Sequence, residues 1–286
     1  MRTPPTTMPA LITPFDRGGS VDMGAHRHNL ATLTERGIGG FLIGGSTGQG
    51  PYLETGERTV LIEIARSELG DDPFLLAGIS AQSVRQANRQ IDEAAAAGAD
   101  AALVVTPTFL LRSDHDLVVS FFLAVADAST LPVFLYTVPA VTGYEISVDA
   151  TAALAGHSGI VGMKDSGGDV DRVAPILKEA GDGFTLYVGA SRAVHAAAEQ
   201  GAQGAITASA NYVPDLVADA RGDHDAQERL TAITHDVERH GIAGTYAAAE
   251  LFGLSPGSMR APLRPLDDTQ RATLRTVCCS DDRPRP

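Results

Sequence analysis

The sequence predicts a (β/α)8 barrel followed by a C-terminal helical domain. Three observations carry that expectation. Short apolar, β-branched runs alternate with longer helix-patterned segments over about 220 residues. Eight such pairs occur, the number that closes a barrel. The apolar runs are nearly continuous rather than alternating, as a parallel sheet buried on both faces requires. A doubly wound open sheet is the alternative, because strand order is not written in one sequence.

Taken in order, strands are expected at 9–13 (PALIT), 40–43 (GFLI), 74–78 (FLLAG), 101–105 (AALVV), 132–136 (PVFLY), 159–163 (GIVGM), 184–188 (FTLYV) and 203–207 (QGAIT). Helical spacing fills 22–36, 54–69, 83–97, 113–128, 147–155, 169–180, 191–199 and 213–220. The second helix is the clearest: Val60, Leu61, Ile64, Ala65 and Leu69 repeat near 3.6 residues, with Glu54 and Glu57 in the first turn where the dipole favours them. Ser83, Ser113, Asp149 and Asp169 are candidate N-caps. Glycines 37, 70, 98, 156 and 181 follow helix ends, where a left-handed residue is often needed. After residue 224 the strands stop, and 225–240, 242–252 and 267–277 read as helices. The domain expectation is therefore a barrel over 1–224 and a helical domain over 225–286, with residues 283–286 frayed.

Charge and composition exclude several function classes. Thirty-five acidic against 22 basic residues give a net of −13, and no basic run could neutralise a phosphate backbone, so nucleic acid and anionic membrane are not expected partners. No apolar stretch has the roughly 18 residues of a membrane helix, and the first residues do not read as a signal peptide, which predicts a cytoplasmic protein. Cys278 and Cys279, adjacent and the only cysteines, cannot frame a disulfide scaffold or a cysteine zinc site. Of the 22 basic residues only Lys164 and Lys178 are lysines, and Lys164 lies in an apolar segment.

Barrel active sites lie at the C-terminal ends of strands, which points to GGSTGQG, YTVP and KDSGGD. Lys164 follows the sixth run and should project from the strand end into the barrel mouth. An amine taken out of water loses its proton more readily, and the free amine is the nucleophile that attacks a carbonyl. The structural alternative is a strand-end lysine paired with Asp165 or reaching water. Tyr136 ends the fifth run, one strand away; its phenol could shuttle protons, or be an amphipathic strand end satisfied by one hydrogen bond. The Gly44-Gly45-Ser46-Thr47-Gly48 turn offers amides to a carboxylate or phosphate. It lacks the Lys-Ser/Thr of a P-loop and the spacing of a dinucleotide fingerprint. Lys178 reads as solvated. His26 and His28 are two apart on a helix and make a poor metal pair. HExxH and histidine–carboxylate clusters are missing from the sequence, as is G-x-S-x-G, so no metal or other cofactor is expected.

Together the segments ITPF, GSTGQGPYLETGER, GADAALVVTP, LPVFLYTVPAVTG, IVGMKDSGGDV and MRAPLRPL resemble the dihydrodipicolinate synthase / N-acetylneuraminate lyase family of class I pyruvate aldolases. Within it, LYTVPAVTG followed by IVGMKDSGGDV is most similar to 4-hydroxy-2-oxoglutarate aldolase. The resemblance implies a barrel with C-terminal helices, a homotetramer built as a dimer of dimers, and a small 2-oxo acid as ligand. It implies that Lys164 forms an imine with pyruvate and that Tyr136 shuttles protons. Ser46 and Thr47 match the pair whose amides hold the carboxylate, with a hydroxyl extending the relay. Gly189 and Ile206 match positions lining the imine pocket.

The departures shape the expectation. Where the synthase has a tyrosine that crosses the dimer interface, this chain has Phe109, without a hydroxyl. Where the synthase has an arginine for the second substrate's carboxylate, it has Val141. The glutamate of the family turn is Gln49, and Thr55 and Arg58 replace the histidines of the lysine-feedback site. The expected activity is a metal-independent, Schiff-base aldolase or lyase acting on a 4-hydroxy-2-oxoglutarate-like or 2-keto-3-deoxy acid. The alternatives are a dihydrodipicolinate synthase-type condensation, a 2-oxo-acid dehydratase, or a non-catalytic 2-oxo-acid-binding protein.

Overall fold

The computed structural model describes residues 2–111 and 114–278. Its strands are β1 Thr7–Pro9, β2 Gly40–Ile43, β3 Phe74–Ile79, β4 Ala101–Val105, β5 Val133–Thr137, β6 Ile160–Asp165, β7 Thr185–Val188 and β8 Gly204–Thr207. They pair in parallel in the order β1-β8-β7-β6-β5-β4-β3-β2. A parallel bridge from Ala10 to Leu42 joins the two edges. The sheet is thus a nearly closed TIM barrel and not a doubly wound open sheet.

The helices are α1 Met23–Glu35, α2 Glu57–Leu69, α3 Val84–Ala96, α4 His115–Ala128, α5 Pro139–Thr142, α6 Val148–Ala155, α7 Val173–Ala180, α8 Val194–Glu199, α9 Pro214–Asp219, α10 His224–Glu238, α11 Gly241–Leu251 and α12 Asp268–Cys278. None of them is long and apolar enough to cross a membrane.

Alternate residues of each strand face opposite layers. Met8, Leu42, Leu76, Leu103, Phe134 and Ile206 fill the barrel interior. Their neighbours Ile43, Leu75, Val104, Leu135 and Leu186 pack outward with Leu61, Ile91 and Phe122 of the helices. Lys164 and Tyr136 share the inward parity, so the same alternation that builds the core aims both into the barrel.

Several expected boundaries move, each for a local reason. β1 ends at Pro9 rather than running over 9–13: Ala10 N still donates to Thr207 O (2.9 Å), but Leu11 N turns to Leu42 O (2.9 Å), Ile12 N to Asn211 Oδ1 (3.0 Å) and Thr13 N to the Tyr246 hydroxyl (3.1 Å). α2 starts at Glu57, not at 54, since Gly56 is left-handed at φ 88°. Glu54 stays outside the helix and donates its amide to Glu57 Oε2 (2.7 Å), which closes that end. Residues 170–172 and 191–193 are 3-10 turns ahead of α7 and α8. Ser83 caps α3 as expected, and Asp169 caps the 170–172 turn. α6 is capped by Ser147, whose Oγ accepts from Ala150 N (3.1 Å), and not by Asp149. Asp114 caps α4; Ser113 lies outside the described residues. Glycines 37, 70, 98 and 181 have positive φ, but Gly156 is right-handed at φ −64°.

The C-terminal helices hold the barrel through several polar contacts, one knot of which reaches the loop after β2. The Tyr246 hydroxyl donates to Thr13 O (2.9 Å) and accepts from Gln49 Nε2 (2.7 Å), while Gln49 Oε1 accepts from Arg260 N (3.0 Å). Arg260 also grips Glu57 through both carboxylate oxygens (2.6 and 2.7 Å). α11 and the strand-like segment after it therefore pin the loop that carries Ser46 and Thr47.

Candidate active site

Tyr136 and Lys164 are register partners on β5 and β6. They are 5% and 4% exposed, and Lys164 Nζ lies 4.6 Å from the centroid of the Tyr136 ring. Burial by itself would push the Tyr136 phenol up. The Lys164 charge and hydrogen bonds with Ser46, Ser166 and Lys164 outweigh it, and the phenol ends below its ordinary value. The two form a buried couple in which the Lys164 charge favours the phenolate of Tyr136.

Asp165 is on the opposite face of β6 and is not the counter-ion of Lys164. Its Oδ1 accepts from Gly167 N (2.7 Å) and its Oδ2 lies 3.5 Å from Arg172 Nε. Burial pushes its carboxyl up, against the Gly167 bond and the Arg172 charge, which pull it down. Arg172 also pairs with Glu145 and donates to Ile146 O (2.6 Å). Lys164 neither pairs with Asp165 nor reaches bulk water. Lys178, by contrast, sits in the last turn of α7 with its side chain 83% exposed.

Ser166 is the site residue that the sequence reading missed. It lies two residues after Lys164, so strand alternation carries it to the same side, and its hydroxyl bonds to Tyr136. That i+2 relation was the available signal. Gly189 makes room for it: a Cβ there would collide with Ser166 Oγ and come within 2.9 Å of Lys164 Cε. Gly189 N also donates to Asp165 O (2.7 Å), which fixes the end of β7 against β6. Ile206, fully buried on β8, belongs to the interior apolar layer beneath.

The Gly44–Gly50 turn folds tightly on itself. Gly50 N donates to Gly45 O (2.9 Å) and Gln49 N to Ser46 O (3.0 Å), with Gln49 left-handed at φ 55°. A Cβ on Gly48 would meet Leu11 O at 2.6 Å, so glycine is required there. Among the described residues no acceptor takes the Ser46 or Thr47 amide. Both side chains are half-buried, and it is the Ser46 hydroxyl, not that of Thr47, that bonds Tyr136. Gln49, read only as a departure from the family turn, serves the knot to Tyr246 and Arg260 described above.

Thr55 and Arg58 line a polar cavity of about 130 Å³ beside this turn. Arg58 is buried, which lowers its guanidinium to about 10, and its Nε has no hydrogen-bond partner among the described residues. Phe109 and Val141 stand 80% and 73% exposed at the rim, on the turn after β4 and on α5. Arg112, which follows Phe109, lies outside the described residues, as does Cys279. His26 and His28 part company: His26 Nε2 contacts Leu61 O (3.1 Å) and His28 Nε2 contacts Gly253 O (3.0 Å). Against the expectation of no histidine–carboxylate cluster, one such group is present among the described residues, within five consecutive positions of the sequence. His224, Asp225 and Glu228, all exposed on the first turn of α10, bring ligand atoms within 4.8 Å of one another.

Known proteins match the chain over nearly its whole length. The profile of the Dihydrodipicolinate synthetase family matches residues 4–279. A 4-hydroxy-tetrahydrodipicolinate synthase of Streptomyces coelicolor is 33% identical over 277 residues, covering 93% of this chain and 90% of that protein. The crystal structure of a dihydrodipicolinate synthase from Bacillus anthracis superposes with a TM-score of 0.92 at 27% identity, over 100% of both chains. A prophage protein of the dihydrodipicolinic acid synthase family from E. coli, solved in complex with pyruvate, gives 0.88 at 25% identity, over 94% of this chain and 96% of that one.

Proposed function

The chain belongs to the dihydrodipicolinate synthetase family, lyases and aldolases of the class I pyruvate type, and from that premise we propose that it cleaves a 4-hydroxy-2-oxo acid to pyruvate and an aldehyde through an imine on Lys164. The single observation that carries this reading is the buried Tyr136–Lys164 pair, with Nζ 4.6 Å from the ring centroid. The amides of Ser46 and Thr47 receive the substrate carboxylate, and Lys164 attacks the adjacent 2-oxo carbon with loss of water. Tyr136, as phenolate, takes the proton of the 4-hydroxyl. The C3–C4 bond breaks, its electron pair enters the imine to form an enamine, and C4 leaves as the aldehyde. Tyr136 returns the proton to C3, and water hydrolyses the imine to pyruvate and the free amine. The proton has moved from O4 to C3, and no oxidant or metal takes part.

Ser46 and Ser166 each hydrogen-bond Tyr136 and favour its phenolate. Phe109 brings no hydroxyl, so in this reading the serines replace the hydroxyl that a tyrosine would have brought. Gly189 and Ile206 shape the pocket around the imine. The protein would work as a homotetramer, as the resemblance implies.

The synthase name of the relatives favours condensation with aspartate semialdehyde as a second reading. Val141 opposes it, since on the β5 side that substrate's carboxylate would meet no cation, and leaving it desolvated and unpaired there costs several kcal/mol, or orders of magnitude in rate. The deciding measurement compares kcat/KM for cleavage of 4-hydroxy-2-oxoglutarate and 2-keto-3-deoxygluconate with that for condensation of pyruvate and aspartate semialdehyde. Cleavage is expected to be faster. Condensation faster by tenfold, about 1.4 kcal/mol, would restore the synthase reading.

A further inference from the structure

We propose that Arg192 selects substrates whose far end, beyond the bond that breaks, carries a carboxylate. This rests on the aldolase reading of the site and names the substrate class within it: adducts of pyruvate with an oxo acid, anionic at both ends, rather than sugar acids with a polyol tail.

β7 is the neighbour of β6 in the sheet. The residue that follows β7, Gly189, is the one against which Ser166 and Lys164 pack. Three positions further, Arg192 turns back over the loop that follows Lys164. Its guanidinium donates weakly to Gly167 O (3.4 Å) and covers Gly168, where φ is +79° and a Cβ would collide with it. Arg192 therefore lies after the C-terminal end of β7, against the loop that leaves Lys164 and Ser166.

Its charge is unspent. Arg192 is exposed, and among the described residues no carboxylate pairs with it. The neighbouring cation of this rim, Arg172, is consumed by Glu145, Asp165 and the Ile146 carbonyl. On the other side of β6, the loop after β5 brings Val141 and Glu145 but no cation. Among the described residues, the loop after β7 thus offers a free planar fork of donors and the loop after β5 offers no cation. A guanidinium with most of its N–H groups free binds a carboxylate through two parallel hydrogen bonds. It offers a polyol donors only, and leaves the hydroxyl protons of such a tail without acceptors.

Borohydride trapping tests this without requiring turnover. Half-saturating concentrations for the Lys164 adduct are measured with 2-oxoglutarate and with 2-oxopentanoate, which match in carbon count and differ in the tail carboxylate. Wild type is expected to favour 2-oxoglutarate. Arg192→Gln is expected to move the ratio of the two by about 10- to 100-fold toward the neutral acid, the usual weight of a hydrogen-bonded charge. Arg192→Lys is expected to recover part of the preference. An unchanged ratio in Arg192→Gln, or equal weakening of both acids, overturns the assignment. If wild type forms no adduct at Lys164 with pyruvate, the aldolase reading itself falls and this proposal with it. An adduct without tail discrimination overturns the role of Arg192 alone.

Discussion

Tyr136 and Lys164 lie side by side on adjacent strands at 5% and 4% exposure, whereas Phe109 and Val141, on the loops after β4 and β5, stand 80% and 73% exposed. Each polar atom of the first pair is answered by its partner or by Ser46 and Ser166. The second pair touches little and is held by backbone, with Phe109 N donating to Gln82 Oε1 (3.1 Å) and Val141 N to Val138 O (2.9 Å). The contrast separates two tasks. Groups on strands, locked by register and packing, can hold reacting atoms within the tolerance that chemistry demands. Groups on loops can change without disturbing the barrel, and so are where one scaffold comes to discriminate among substrates. Substitutions on the floor should remove every reaction, while substitutions on the rim should change which compound reacts.

Lys164→Ala should give the largest effect and leave no measurable turnover with any 2-oxo acid. Circular dichroism should show the fold retained, since alanine suits an inward strand position beside Gly162 and Tyr136. Residual turnover comparable with wild type would place the chemistry elsewhere and dissolve the contrast between floor and rim.

Tyr136→Phe should reduce kcat by about 10²–10⁴ while slower imine trapping survives. The ring remains, so the packing loss is small and the effect isolates the hydroxyl. Unchanged kcat would return Tyr136 to a structural strand end.

Ser166→Ala sharpens the comparison, because its effect should be smaller and pH-dependent. Removing one hydrogen bond to a reacting phenol should lower kcat by about 10- to 100-fold. The sign of the pH effect follows from what Ser166 does to Tyr136. Its hydrogen bond lowers the phenol's pKa against the rise from burial, so losing it raises that pKa. If the phenolate is the active base, the acidic limb of the kcat profile should move to higher pH. A uniform loss with no movement of the limb would mean that Ser166 only packs.

Much of the scaffold was legible because parallel barrel strands bury both faces. β2 and β4 match the expected 40–43 and 101–105 residue for residue. β1 was not, since Ile12 and Thr13, in its apolar continuation, bond to Asn211 and Tyr246, partners about 200 and 230 residues distant in sequence. The same distinction holds in the site. Lys164 and Tyr136 were readable from strand ends, and Ser166 could have been, from the period of two. The Asp165–Arg172–Glu145 network and the position of Arg192 over Gly168 depend on loops folding back. Local pattern holds no signal for them.

The central claim is that Lys164, and not its solvated counterpart Lys178, is the carbonyl nucleophile. Incubation with pyruvate and borohydride followed by peptide mass mapping tests it most directly, because the chain has only these two lysines. The account predicts one stable adduct, on the peptide containing Lys164, and none in Lys164→Ala. An adduct on Lys178 alone, or no adduct with any 2-oxo acid, would contradict it.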